Sequence, residues 1–361
     1  MLTLKHAYVH EIVRTRPGYT EAVVEAGGER ARAICYPSLT GDVSPGDDVL
    51  INTTAVDMGL GTGGRHFILW NFSQRSTEAP SKGHIMKLRY TPLQIKCLAV
   101  EESESGYHEA LRDATSIDGM PVIIGTLHSQ LPPAVVMLKR FLPGARVAYI
   151  MTDGAALPIA FSETAASLKE KRLIDMTITA GHAFGGDLEA VNIFSALAAA
   201  RYVVKADVAV VCMGPGIAGT GTKLGFSGIE QGQIVNAVNG LKGTAIAIPR
   251  ITFADKRERH YGISHHTITD LRVAAVTPAV VTLPEIGAEK AAVIETQVSM
   301  AALGESHRLE RIDAVETIEA LREANISPTT MGRGIDEEPE FFMAAGAAAV
   351  YAARVVSGGE S

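Results

Sequence analysis

The sequence predicts an α/β protein: a Rossmann-like, doubly wound parallel sheet preceded by a small all-β domain, either a barrel or a sandwich. Three features point there. Up to about residue 100, apolar runs are short, β-branched and broken by Gly/Pro turns. From Pro121 onward, buried-looking β-branched runs alternate with helical stretches, the pattern of parallel strands covered on both faces. Of 361 residues, 47% are hydrophobic and 20% charged, which excludes a largely disordered chain.

In the first part, residues 22–25, 30–35, 48–52 and 66–72 read as strands. Gly27-Gly28, Ser44-Pro45-Gly46-Asp47 and the glycine-dense run from Gly59 to Gly64 separate them. Residues 93–100 read as a last strand. The polar stretch 101–118 reads as a linker with a short helix over 107–113. The expected division is therefore 1–100 as a small β domain, 101–118 as linker, and 119–361 as the Rossmann-like domain with a helical C-terminal extension.

Within that second domain, strands are expected at 122–124, 146–151, 175–180, 207–213, 244–251 and 280–283. Helices are expected at 133–141, 161–173, 187–205 and 230–241. Right-handed crossovers then wind the sheet doubly. Residues 289–356 read mainly as helices. The last is alanine-rich, with Pro339 in its first turn and Asp336 as its cap.

Charge and cysteines limit the partners. The net charge of −7 speaks against a basic nucleic-acid binder. The longest charge-free run, 119–138, reaches membrane-spanning length, but Gly125, His128, Gln130, Pro132 and Pro133 interrupt it. A strand, a turn and a helix start explain it better than a span. Residues 1–11 hold Lys5, His6 and His10 and no apolar signal core. Cys35, Cys97 and Cys212 are odd in number and form no C-x-x-C pair, so a cytoplasmic location is expected.

Ligands of open parallel sheets bind beyond the carboxyl ends of strands. Those positions here are polar, small or glycine-rich in five successive cases. They carry Gly125 to Ser129, then Thr152-Asp153-Gly154, then Gly181-His182 through Asp187. Next come Gly214 to Lys223, and finally Asp255, Arg257, Arg259 and His260. One shared cleft is the expectation.

The fourth strand end is the most specific. Gly214, Gly216 and Gly219 match G-x-G-x-x-G directly after a strand, where backbone N–H groups approach a phosphate. A further stretch, 220–228, intervenes before the helix. The acidic residue expected about 20 residues on is missing: Glu230 falls too early and Asp255 too late. Walker A fails as well, because Gly221-Thr222-Lys223 replaces Gly-Lys-Ser/Thr. Anion binding by Gly214, Gly216, Gly219, Gly221, Thr222 and Lys223 is thus expected without a complete cofactor motif. A phosphate-free loop needed only for tight packing is the plainer alternative.

Asp153, His182, Asp187 and His260 are the acid–base or metal candidates. Asp187 equally fits a helix cap. Arg257 and Arg333 are the candidate charge stabilisers, while the mixed signs around Arg257 also suit a solvated face. His265 and His266, close to His260, are candidate metal ligands, although no H-x-H or H-E-x-x-H pattern supports them. In the first domain, Asn52 to Ala55 and Gly59 to Gly64 suit a lid or a plain barrel loop.

Several motifs carry a family resemblance. They are Tyr36-Pro-Ser-Leu-Thr-Gly41, Asn52 through Gly64, His84-Ile-Met-Lys-Leu-Arg-Tyr-Thr-Pro92, Gly181 through Asn192, Gly214 through Gln231, and Arg259-His-Tyr-Gly-Ile-Ser-His-His266. Over nearly its whole length the chain resembles the bacterial domain-of-unknown-function family numbered thirty-eight sixty-six. The resemblance implies a bacterial cytoplasmic protein and assigns no activity, cofactor or catalytic residue.

The functional expectation is an enzyme binding a small anionic metabolite, phosphorylated or nucleotide-like, at the strand carboxyl ends. Its reaction class, hydrolase or transferase, is open. Two alternatives stand beside it. One is a non-catalytic ligand sensor or assembly protein. The other is a metal-dependent hydrolase, which requires Asp153, Asp187 and two histidines to converge on one point. A divalent metal is the open cofactor; neither nucleic acid nor membrane is an expected partner. The alanine-rich terminal helix suggests a homodimer.

Overall fold

The computed structural model describes residues 2–74 and 82–358. The chain divides into two units, Met1–Cys97 and Leu98–Ser361.

The first unit is a small closed barrel of five strands: β1 (Leu4–Arg16), β2 (Tyr19–Ala26), β3 (Glu29–Cys35), β4 (Asp48–Asn52) and β5 (His66–Asn71), with order β1-β2-β3-β5-β4. Antiparallel pairing of β1 with both β2 and β4 closes it, while β3 and β5 run parallel. Closure removes the exposed edges that so small a sheet would otherwise present. Alternate residues Ala22, Val24, Ala33, Val49, Ile51 and Ile68 fill the interior. Short helices α1 (Pro37–Thr40) and α2 (Thr54–Asp57) join strands, and a separate hairpin pairs β6 (Ile85–Lys87) with β7 (Ile95–Cys97). β1 is long and charged at many positions, which is why no apolar run announces it. Buried Glu21 takes Arg65 at 2.9 Å and Arg32 at 3.2 Å, so the end of the Gly59 to Gly64 run is tied to the barrel wall.

The second unit begins with α3 (His108–Leu111) and then builds β8 (Pro121–Ile124), α4 (Leu131–Phe141), β9 (Val147–Thr152), α5 (Glu163–Glu170), β10 (Met176–Ala180), β11 (Leu188–Ala190), α6 (Ile193–Ala199), β12 (Val208–Met213), α7 (Glu230–Gly240) and β13 (Thr244–Ala247). A two-stranded excursion, β14 (Ile251–Thr252) with β15 (Gly262–Ile263), leads to α8 (His265–Thr269). There follow β16 (Val280–Pro284), α9 (Ala288–Met300), β17 (Arg308–Ile312), α10 (Glu316–Glu323) and α11 (Pro339–Val356).

Eight of these strands form one all-parallel sheet in the order β11-β10-β9-β12-β8-β13-β16-β17, so the Rossmann-like expectation holds. Every residue of β8, β9 and β12 is buried, which explains their unbroken apolar sequences. From β8 the chain steps outward to β9, β10 and β11, then returns to insert β12 between β9 and β8. Right-handed crossovers therefore put α4 and α5 on one face and α6 and α7 on the other. Packing agrees: α10 and α11 lie on α4, and α6 lies on α7. Connections leaving β9 and β8 thus diverge from the one leaving β12. In open parallel sheets such a reversal is where ligands bind beyond the strand ends.

Several local expectations change. Residues 101–118 pack within the second unit: the Glu101 carboxylate accepts from Val191 N, and Ile117 N donates to the Leu241 carbonyl. Residues 187–192 are not the start of a helix. They hold β11 and then Asn192, whose side chain caps α6 by accepting from Phe194 N and Ser195 N. β17 is an extra strand in the C-terminal part. Its charged positions, Arg308, Glu310 and Arg311, belong to the exposed edge of the sheet. Asp336 does not cap α11; it pairs with Arg322, and α11 starts from Glu338 and Pro339. That helix is buried along most of its length among α4, α10 and the sheet. Its alanine face is used inside the unit. Among the described residues, no helix is long and apolar enough to cross a membrane.

Candidate functional site

All parallel strands end on the same edge of the sheet, so the loops after β8, β9, β10, β12 and β13 share one side. Contacts between those loops form a continuous strip. After β10, His182 N donates to Asp153 Oδ2 at 2.9 Å, which ties the β9 and β10 ends together. Ala156 N then donates to the Pro215 carbonyl at 3.1 Å and ties β9 to β12.

The glycine-rich segment after β12 is a folded-back finger rather than a loop running into a helix. Gly219 and Phe226 pair antiparallel, and Thr220 N donates to the Gly225 carbonyl at 2.8 Å. Gly225 N donates to Thr222 Oγ1, and Lys223 is exposed between Thr222 and Leu224. Gly216 has φ +107° and open space around it, a conformation that favours glycine. The dinucleotide geometry fails here for a physical reason. Helix α7 opens with the Glu230 carboxyl, and a short turn, Ser227–Ile229, separates it from the glycines. Gly214 and Gly216 therefore do not aim a helix N-terminus at a phosphate.

The finger instead lies against the loops beyond β13. Phe226 stacks on His266 with ring centroids 4.0 Å apart and planes 5° from parallel. A Cβ at Gly219 would lie 3.6 Å from His266 Cε1, and one at Gly221 would lie 3.8 Å from an Arg259 guanidinium nitrogen. Gly219 and Gly221 are thus brought to His260, His265 and His266, whose rings sit 4.2 to 5.2 Å apart by centroid.

Around these rings stand four arginines and two carboxylates. Arg257 holds Asp255 through two bonds, at 2.9 and 2.7 Å. Arg250 is 4% exposed, reaches Asp255 only at 3.6 Å, and leaves its Nε without a partner. Arg333 bonds fully buried Glu338 at 2.6 Å, and Thr252 Oγ1 donates to the same oxygen. Arg259 makes no ion pair among the described residues; its Nε approaches His260 Nε2 at 3.5 Å. The Arg257 hydrogen bonds keep the Asp255 carboxyl far below the usual carboxylate range. Burial, reinforced by neighbouring arginines, depresses His260 to about 4; burial and the adjacent histidines depress His266 to about 3. The histidines are therefore neutral at pH 7.

A second group lies where β9 meets α7. Thr152 Oγ1 donates to Glu230 Oε1 at 2.5 Å, and a Cβ on Gly154 would lie 2.7 Å from Glu230 Oε2. Burial first, and the Asp153 charge second, raise Glu230 to about 7 against the Thr152 hydrogen bond. Asp270, just after α8, is fully buried and neither of its oxygens has a partner. Burial and the Glu230 charge raise it to about 9. The Ser227–Ile229 turn contacts both α8 and the residues after it, so this acid pair borders the histidine cluster.

Of the sequence candidates, His260, His265, His266, Arg257, Arg333, Gly219 and Gly221 come together. Asp153 and His182 form a separate pair further along the strip. Asp187 is engaged elsewhere: Thr177 N and Oγ1 each donate to it at 2.8 Å, and Lys169 pairs with it. Against the cost of burial, these partners hold the Asp187 carboxyl below its ordinary value. The convergence of Asp153, Asp187 and two histidines is therefore not what the structure has; the three-histidine group forms without either aspartate. Arg250, Glu230 and Asp270 escaped the candidate list. Arg250, directly before β14, carried no local signal, whereas Asp270 is the lone Asp, Glu, Lys or Arg between Tyr261 and Leu271.

A family model described as protein of unknown function (DUF3866) matches residues 32–349. No curated protein and no solved structure matches the chain.

Proposed function

The chain belongs to the DUF3866 family of proteins of unknown function, and from that premise we propose that it is an enzyme acting on a small anionic metabolite. The anion sits beyond β13, between the glycine finger and the arginine cluster. The observation that carries this reading is a shortage of negative charge. Among the described residues, Arg250, Arg257, Arg259 and Arg333 face only Asp255 and Glu338, and buried Arg250 keeps an unpartnered Nε. A buried guanidinium left short of partners is costly, and an oxyanion supplies what it lacks. Gly219, Gly221, Thr222 and Lys223 border the same place and suit a phosphorylated ligand, as do Arg257 and Arg333.

Glu230 is the proton-transfer group. A carboxyl poised near 7 exchanges protons at neutral pH at little cost, the property wanted in a general acid or base. Burial and the Asp153 charge set that poise against the Thr152 hydrogen bond. Cys35 and Cys212 are buried free thiols, which suits the reducing cytoplasm in which we place the protein.

A thermal-shift screen of nucleotides, sugar phosphates and dicarboxylates tests the reading. Stabilisation by a phosphorylated compound, weakened in Arg259→Gln, is expected. Turnover of that compound, abolished in Glu230→Gln with binding retained, identifies an enzyme; binding with no turnover by the wild type identifies a sensor.

A further inference from the structure

We propose that His260, His265 and His266 bind one divalent first-row transition-metal ion, zinc being the best chemical fit. The proposal does not depend on the anion reading. One ring nitrogen from each histidine lies within 4.8 Å of the others. Tetrahedral zinc with nitrogen ligands needs them about 3.4 Å apart, so small side-chain rotations close the set.

The hydrogen bonds fix which nitrogens are free. Arg259 can only donate, so His260 Nε2, its 3.5 Å neighbour, carries a lone pair, which a metal ion takes over when it displaces that long hydrogen bond. His260 Nδ1 then carries the proton and donates to Ser264 Oγ at 2.8 Å. That bond orients the imidazole as the outer partners of metal-bound histidines do. His265 Nε2 and His266 Nδ1 are buried with no hydrogen-bond partner at all. Two orphaned imidazole nitrogens in one buried cluster are rare in native folds and point to a missing partner. A metal ion satisfies both at once. Phe226, stacked on His266, holds that ring in place and shields one side.

The donor set selects the cation. Three imidazoles and no carboxylate disfavour magnesium and calcium, which take oxygen ligands. Three protein ligands leave a fourth position open, the arrangement of catalytic rather than structural zinc sites. The arginines around it favour an anionic fourth ligand.

The test uses the full chain, stripped with chelator and dialysed against Zn2+ or Co2+ in a buffer free of oxyanions. The expected result is saturable binding of one ion per chain, with Co2+ giving the visible bands of tetrahedral coordination. His265→Ala and His266→Ala should each weaken binding by at least about 100-fold, whereas His182→Ala leaves it unchanged. Absence of saturable binding by the wild type overturns the proposal. So does undiminished affinity in His265→Ala shown to be folded by circular dichroism. If both histidine variants fail to fold, X-ray absorption on the wild-type Zn2+ complex decides: three imidazole ligands support the site, and any other set overturns it. Since no oxyanion is present, either failure leaves the anion reading standing.

Discussion

Phe226 lies flat on His266, 4.0 Å between ring centres and 5° from parallel. This one stack joins two features that are far apart in sequence, the glycine finger after β12 and the histidines before and within α8. Phe226 is 5% exposed, so its loss leaves a cavity as well as an unsupported imidazole. Phe226→Ala should cost about 3 kcal/mol of stability, the low end for a buried aromatic, measured by urea unfolding. It should also blunt any stabilisation by a bound anion.

Asp270 makes stability fall on the alkaline side. Its carboxyl has an ordinary value of 3.8 and rises to about 9 in the folded chain. A group raised on folding contributes stability that is complete below the unfolded value and is lost as pH climbs through the folded one. Between roughly pH 5 and 9 the wild type should lose up to about 1.4 kcal/mol per pH unit from this group. Asp270→Asn should flatten that limb in unfolding measurements at pH 6, 7.5 and 9 (roughly spaced across the window). An unaltered slope would mean that Asp270 is ionised in the fold.

On the acid side, His128, His260 and His266 act in the opposite direction. Burial lowers His128 to about 4, and His260 and His266 fall to about 4 and about 3, all from 6.5. Their contribution is present above 6.5 and is lost as pH drops toward the folded values, because the unfolded chain takes up protons first. Stability should decline from pH 6.5 to about 4, less steeply in His128→Asn. Nuclear magnetic resonance of the imidazole protons should show these three neutral at pH 6.

Gly216 separates backbone from contact effects. With φ +107° and nothing within 4 Å of a built Cβ, Gly216→Val meets strain but no clash. The expected cost is about 1–3 kcal/mol, read from the melting temperature. The strain falls on the finger, so anion protection should weaken more than stability does. A variant with full protection would remove the finger from the binding site.

Much of the architecture was legible in sequence because buried parallel strands write continuous apolar runs: Val147–Thr152 and Val208–Met213 are apolar or small throughout. Edge strands leave no such record. Arg308–Ile312 alternates charge with Leu309 and Ile312, and Leu188–Ala190 is only three residues long. The strand-end rule located the strip of loops correctly, yet it could not say which loops touch. That depends on the finger folding back at Gly219 and Phe226, a tertiary pairing with no local signature. Asp187 fits a cap in sequence because it stands at the start of the helix expected over 187–205. Its actual partners, Thr177 and Lys169, lie on neighbouring elements. Buried single charges such as Arg250 and Asp270 declare themselves only once burial is known.

The account turns on an unmet positive charge beyond β13. Isothermal titration of the wild type and of Arg259→Gln with pyrophosphate measures it directly. Arg259 is the variant of choice because no ion pair among the described residues is lost with it. The account predicts saturable one-site binding by the wild type, weakened at least about tenfold, or 1.4 kcal/mol, in Arg259→Gln. Absence of saturable binding, or equal affinity in the two proteins, would contradict it.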